Sequence, residues 1–191
     1  SSLVGSEMCI RDRFKTFLIP FIFPVHLWSE IPEMILGEET IENGINLVFE
    51  VAIKDDVSPS NFFGNEENSD IHLEVLANWN DSAPEGSQKG GFVPYLNVSA
   101  ELKNQKTQIT KSIDLLPHLN LSDNFHYALN TKLPGMRTDN YTIKFFIKPP
   151  DSSSLGYHYD WNQEVGSLIP KVEVFEYSNL DLETISNASR R

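Results

Sequence analysis

The sequence predicts an all-β fold, an antiparallel sandwich of the immunoglobulin kind with about seven strands. Runs of alternating or continuous apolar residues recur along the chain, as strands half or fully buried in a core require. Segments rich in Gly, Pro, Ser and Asn separate them, among them "SPSNFFGNEENS", "APEGSQKGG" and "PPDSSSLG". Helical periodicity is scarce, which leaves no place for the crossover helices of a parallel sheet.

In chain order, residues 1–13, "SSLVGSEMCIRDR", have no structural pattern and resemble a translated sequencing adapter; they are set aside as non-native, together with the only cysteine, Cys9. Residues 14–29 read as a signal peptide. Lys15 supplies the positive start, and Thr16 to Trp28 is an apolar run of 13 interrupted by Pro20, Pro24 and His26. That run is too short to span a membrane. A buried N-terminal strand is the alternative. The domain proper is expected over 30–180, with a frayed tail over 181–191. Strands are expected at 45–53, 70–78, 92–103, 107–116, 125–130, 141–148 and 171–178. "KNQKT" (103–107) joins two of them as a hairpin turn, and Pro134–Gly135 suits a type II turn. The segment 149–169 is long for a loop, and its "GYHYDW" is too aromatic for a loose tether.

Formal charge is −12. Residues 1–29 carry Arg11, Arg13 and Lys15 against Glu7 and Asp12, so without them 12 basic side chains face 25 acidic ones. Such acidity excludes a nucleic-acid partner, which needs a basic patch, and suits an exported protein that handles cations. No glycine-rich phosphate loop or nucleophile elbow is present. A thiolate copper site fails without a cysteine.

The expected domain holds four histidines: His72, His118, His126 and His158. His72 and Glu74 lie two apart in "DIHLEV", on the strand face opposite Ile71, Leu73 and Val75, roughly 7 Å apart at Cα. Both can reach one small ion. A lone strand histidine is otherwise a hydrogen-bonded structural residue, and spacing alone does not bring the four together. Asp70 on the same face reads as solvent-exposed, or as an acceptor for a histidine N–H.

An ordered series of motifs carries a resemblance. "GINLVFEVAI", "SDIHLEVLANWN", "GGFVPYLNVSAELKN", "LLPHLNLSDNFHYALN", "YTIKFFIKPP" and "GYHYDW" together resemble the periplasmic iron-uptake proteins found beside bacterial iron permeases, over roughly residues 43–178. The resemblance implies an immunoglobulin-like homodimer that binds copper and serves iron uptake through a partner permease. His72, Glu74, His126 and His158 look like its metal ligands, with His158 in place to act across the dimer. Where the family carries a methionine ligand after Pro117, this chain has His118, and one more residue separates it from His126. Either His118 replaces the thioether and favours Cu(II), Zn or Fe(II) over Cu(I), or the extra residue displaces it from the site. Met136 could supply a thioether instead, with a plain turn residue as its alternative.

The expectation is therefore an exported, periplasmic binder of copper and/or iron, with zinc possible in vitro, whose affinity falls as protons compete for imidazole. A metal-dependent redox enzyme is one alternative. The other is an interaction module without metal, for which the sequons at Asn80, Asn97, Asn120, Asn140 and Asn187 would suit a glycosylated surface.

Overall fold

The computed structural model describes residues 33–189; the expected adapter-like and signal segments, 1–13 and 14–29, lie outside the described residues. Eight strands, all paired antiparallel, run in the order β1-β2-β3-β6-β5-β4-β7-β8. They are β1 Glu33–Ile41, β2 Ile45–Ala52, β3 Ile71–Trp79, β4 Asn97–Asn104, β5 Thr110–Leu119, β6 Phe125–Thr131, β7 Asn140–Lys148 and β8 Glu173–Asp181. Short helices α1 (Ser60–Phe63), α2 (Tyr159–Glu164) and α3 (Glu183–Asn187) sit in the connections and at the end.

One strand makes the order fold back on itself. Val98–Lys103 of β4 pair with Thr110–Leu115 of β5, whereas Leu116–Leu119 pair with β6. β5 thus passes from one sheet to the other at Leu115–Leu116. Pro117, which has no N–H, lies where the strand keeps only one neighbour, the position a sheet tolerates proline. The two sheets close over Phe49 of β2, whose ring lies 4.7 Å from Phe145 of β7 and 5.0 Å from Phe175 of β8. Phe49, Leu73, Val75 and Phe145 are fully buried, and truncating Phe49 to alanine should cost about 3–5 kcal/mol. At the far edge Tyr177 of β8 lies over Gly37 of β1, where any Cβ would strike its ring. The barrel-like sandwich is nearly closed there.

The all-β, antiparallel expectation holds, with one strand more than expected. β1 escaped because it is an acidic, largely exposed edge interrupted by Gly37. Its turn into β2 is nonetheless signalled by Asn43–Gly44, both with positive φ (61° and 70°), the residue pair a tight hairpin favours. The strand expected at 92–103 begins only at Asn97. Pro94 and the left-handed Tyr95 (φ 66°) interrupt the ladder, and Tyr127 holds this stretch by donating to the Val93 carbonyl (2.8 Å) and accepting from Leu96 N–H (3.0 Å). Gly135 does not have the positive φ of a type II turn; what requires glycine there is the Asn104 side chain packed against it. The tail expected to fray is docked through α3: Leu182 and Ile185 are 0% and 4% exposed, and Lys54 Nζ donates to the carbonyls of Ser186 and Ala188.

Candidate metal centre

The pleat sorts the side chains of β3 into two sets. Ile71, Leu73, Val75 and Ala77 fill the space between the sheets, fully buried. His72 and Glu74 point to the opposite face, yet are only 3% and 2% exposed. Register builds the rest of the site. On β6, Asn130 lies opposite His72 and Ala128 opposite Glu74. One strand further, His118 of β5 lies directly opposite His126 of β6. A turn closed by Asn120 N–H donating to the Asn124 carbonyl (3.2 Å) joins the two strands, and His118 stands with His72 and His126 rather than apart from them.

His72, His118 and His126 each bring one ring nitrogen into a group whose atoms all lie within 4.8 Å of one another. His72 Nε2 is 3.6 Å from Glu74 Oε1, and His126 Nε2 is 3.7 Å from Glu74 Oε2. The carboxylate therefore lies between two imidazoles. His118 Nε2 is buried and, among the described residues, has no hydrogen-bond partner.

The tautomers follow from the neighbours. Asn130 donates through Nδ2 to the carbonyls of Asp55 (2.7 Å) and Gly64 (3.2 Å), and its Oδ1 accepts Asp55 N–H. With the amide so oriented, Oδ1 is also the acceptor facing His72 Nδ1 at 2.8 Å, so the proton of His72 is on Nδ1. His126 Nδ1 faces the Asn124 carbonyl at 3.1 Å and must likewise be protonated there. Both rings then present Nε2 lone pairs to the centre. Lone pairs facing a carboxylate repel it, and a cation between them removes the repulsion. That donor set, with the orphaned His118 nitrogen, fits a divalent metal.

Burial opposes protonation of two of the imidazoles. Burial, reinforced by His72 and His126, pulls His118 from its ordinary 6.5 down to about 3. Burial also lowers His126, against the opposing pull of its bond to Asn124 and of Asp123. Protonation of these two histidines is thus shifted below the ordinary imidazole value, a change from the expectation drawn on sequence. Phe63 of α1 presses edge-on against His118, ring centroids 4.7 Å apart. Gly64 closes α1 against Asn130 in a space that admits no Cβ. The segment read from sequence as a polar linker covers the site.

Three expected participants are elsewhere. His158 precedes the first turn of α2, exposed, in a groove with Trp79, Phe92, Tyr157 and Trp161; within one chain it does not join the cluster. Asp70 is neither exposed nor a histidine partner: it accepts from Arg137 Nε (2.8 Å) and Leu133 N–H (2.9 Å) and pins the β6–β7 turn. Met136 is 67% exposed on that turn. Sequence reading missed Asn130, whose role depends on cross-strand register. It also missed Glu50 on β2, directly opposite Glu74. Burial first, then Glu33, Asp123 and Glu38, raise its carboxyl to about 7.

The profile of a family described as Fe2+ transport protein matches residues 30–181. A UPF0423 protein of Brucella abortus (strain 2308) is 25% identical over 162 residues, covering 82% of this chain and 87% of its own length. A copper-bound variant of P19 from Campylobacter jejuni shares the fold with a TM-score of 0.66 at 25% identity, over 77% of this chain and 95% of that one. FetP of uropathogenic Escherichia coli, recombinantly expressed in the periplasm, matches with a TM-score of 0.62 at 25% identity, over 79% of this chain and 98% of its own.

Proposed function

This chain belongs to the Fe2+ transport protein family, and from that premise we propose that it is an exported carrier that holds copper or iron at His72, Glu74, His118 and His126 for delivery to a membrane permease. The observation that carries the reading is the convergence of three imidazoles from three strands, ligand atoms within 4.8 Å, on a carboxylate shared by two of them. Neutral imidazole suits Cu, Zn, Fe and Ni, and a carboxylate extends the set toward Fe(II). Copper-bound forms of the similar P19 support copper as one occupant.

His118 gives this site a third nitrogen where the family resemblance implies a thioether. That choice favours Cu(II) or Fe(II) over Cu(I). Export to the periplasm accords with the FetP comparison and with the acidic surface. Homodimerisation would give the exposed His158 a role, as a ligand offered to the partner's cluster beside its own open coordination position.

The test is Cu(II) titration of the full chain, followed by calorimetry and the nitrogen hyperfine pattern of the bound ion. Wild type should bind one ion per cluster with imidazole nitrogens. His118→Ala should weaken binding by at least about 100-fold, beyond what loss of an outer hydrogen bond does. Equal affinity in the variant would remove His118 from the ligand set.

A further inference from the structure

The net charge hides a polarity along the strands. β4 and β6 end, and β5 and β7 begin, at one pole of the barrel. There the stretches 102–111 and 131–138 hold Lys103, Lys106, Lys111, Lys132 and Arg137 and no Asp or Glu, five of the twelve basic side chains of residues 30–191. The connections at the opposite pole, 80–96, 120–124 and 149–172, carry Asp81, Glu85, Asp123, Asp151, Asp160 and Glu164 against Lys89 and Lys171. Both of these lysines are paired, with Asp81 and Glu173. At the basic pole Arg137 is paired with Asp70 and Lys106 with Asp139. Among the described residues no ion pair involves Lys103, Lys111 or Lys132. Lys111 Nζ instead donates to Thr131 Oγ1 (2.8 Å) and the Lys132 carbonyl (3.2 Å).

The two turns of this pole are braced against each other. Asn104, fully buried, accepts the N–H groups of Lys106 (2.9 Å) and Thr107 (2.8 Å) and donates to Asp139 Oδ2 (2.9 Å). Tyr141 Oη donates to the Met136 carbonyl (2.7 Å). The frame leaves one apolar side chain standing out on each turn: Ile109 is 57% exposed and Met136 67%.

We infer that this basic pole is a docking surface for an anionic lipid bilayer, with Ile109 and Met136 entering the headgroup region and Lys103, Lys106, Lys111 and Lys132 facing lipid phosphates. Apolar tips among lysines suit an interface that is anionic outside and apolar beneath. An acidic polypeptide would match the lysines but offer nothing to the two tips. The acidic pole does not cancel the attraction. Strands of eight or nine residues set the poles roughly 25 Å apart, about three Debye lengths at physiological salt. Glu66, Glu67, Asp181 and Glu183 share the basic end but belong to other connections, the β2–β3 loop and the β8–α3 junction. The inference stands apart from the metal reading; a carrier that serves a membrane permease would gain from it a short search along the bilayer.

The experiment is co-sedimentation of the full chain with vesicles of equal parts phosphatidylglycerol and phosphatidylcholine, and with phosphatidylcholine alone. Wild type should bind the anionic vesicles at low salt, lose at least about 10-fold in affinity at physiological salt, and leave the neutral ones unbound. Lys103→Gln combined with Lys132→Gln should weaken binding by about 25-fold, roughly fivefold per lysine. Ile109→Ser combined with Met136→Ser should weaken it by about 10-fold. Lys89→Gln combined with Lys171→Gln, at the acidic pole, should change it by less than about 2-fold. Lys103 and Lys132 are exposed, and thermal unfolding establishes that each variant is folded; should the apolar pair fail to fold, the two lysine pairs decide. Equal binding to neutral vesicles, no binding to anionic ones at low salt, or an equal loss from the two lysine pairs overturns the proposal. Binding to polyglutamate with none to anionic vesicles also overturns it, and assigns the pole to an acidic polypeptide.

Discussion

On the first sheet three imidazoles from β3, β5 and β6 are 3%, 7% and 1% exposed, for His72, His118 and His126. Their nitrogens converge through strand register. On the 149–169 segment, His158 stands exposed at the start of α2 beside the stacked rings of Tyr157 and Trp161, 6.4 Å apart. The side chain is the same and the settings are opposite. Burial makes a histidine a poor base, whereas the exposed one keeps access to solvent and to any second chain. The sheet supplies the precision, and the loop supplies the reach.

Acid should separate the two settings most strongly. Unfolded His118 takes a proton near 6.5 and folded His118 only near 3. Because the folded value is the lower, the stability contribution is complete above about 6.5 and is lost as pH falls from there toward 3. The loss is on the order of 3 kcal/mol by pH 4 and approaches about 5 kcal/mol near pH 3, and His126 acts in the same direction. Denaturant unfolding of the metal-free chain at pH 7 and pH 4 measures it. His118→Gln should flatten the profile; a slope equal to wild type would show that the cluster's burial does not govern its protonation.

The orientation of the rings comes next in size. Asn130→Ala removes the acceptor for His72 Nδ1–H and unties Asp55 and Gly64 from the site. Metal affinity should fall by about 10- to 100-fold, with a lower Tm. Loss of Tm with no change in affinity would reduce Asn130 to a structural tie.

His158→Ala should have the smallest effect in the isolated chain, less than about 3-fold on metal affinity, because its ring stands at the start of α2, outside the histidine cluster. Titration repeated across protein concentrations, with sedimentation to follow association, sharpens the comparison. A loss confined to the associated form would assign His158 to the partner's cluster; a loss in the monomer would mean that the 149–169 segment moves onto its own site.

Much of this was legible in the chain. The alternation of "DIHLEV" placed His72 and Glu74 together on the non-core face of a strand, because the pleat has a period of two whatever surrounds it. The turn at "KNQKT" and the strands on either side followed from local chemistry. β1 was less legible: its acidic edge mimics a loop, although Asn43–Gly44 announced the hairpin. Asp70 could not be read correctly, since Arg137 lies 67 positions away. Nor could α1, whose four residues gain their place only by packing on His118 and Asn130.

By itself the sequence determined the fold class, the direction of the charge and the residue types able to hold a cation, because periodicity, turn chemistry and donor atoms are local properties. The tertiary structure alone decided which donors meet. It set His118 opposite His126, turned His72 by means of Asn130, paired Glu50 with Glu74 across two strands, and kept His158 apart. Those are consequences of strand order and register, which join positions dozens of residues apart and leave no mark on the residues between them.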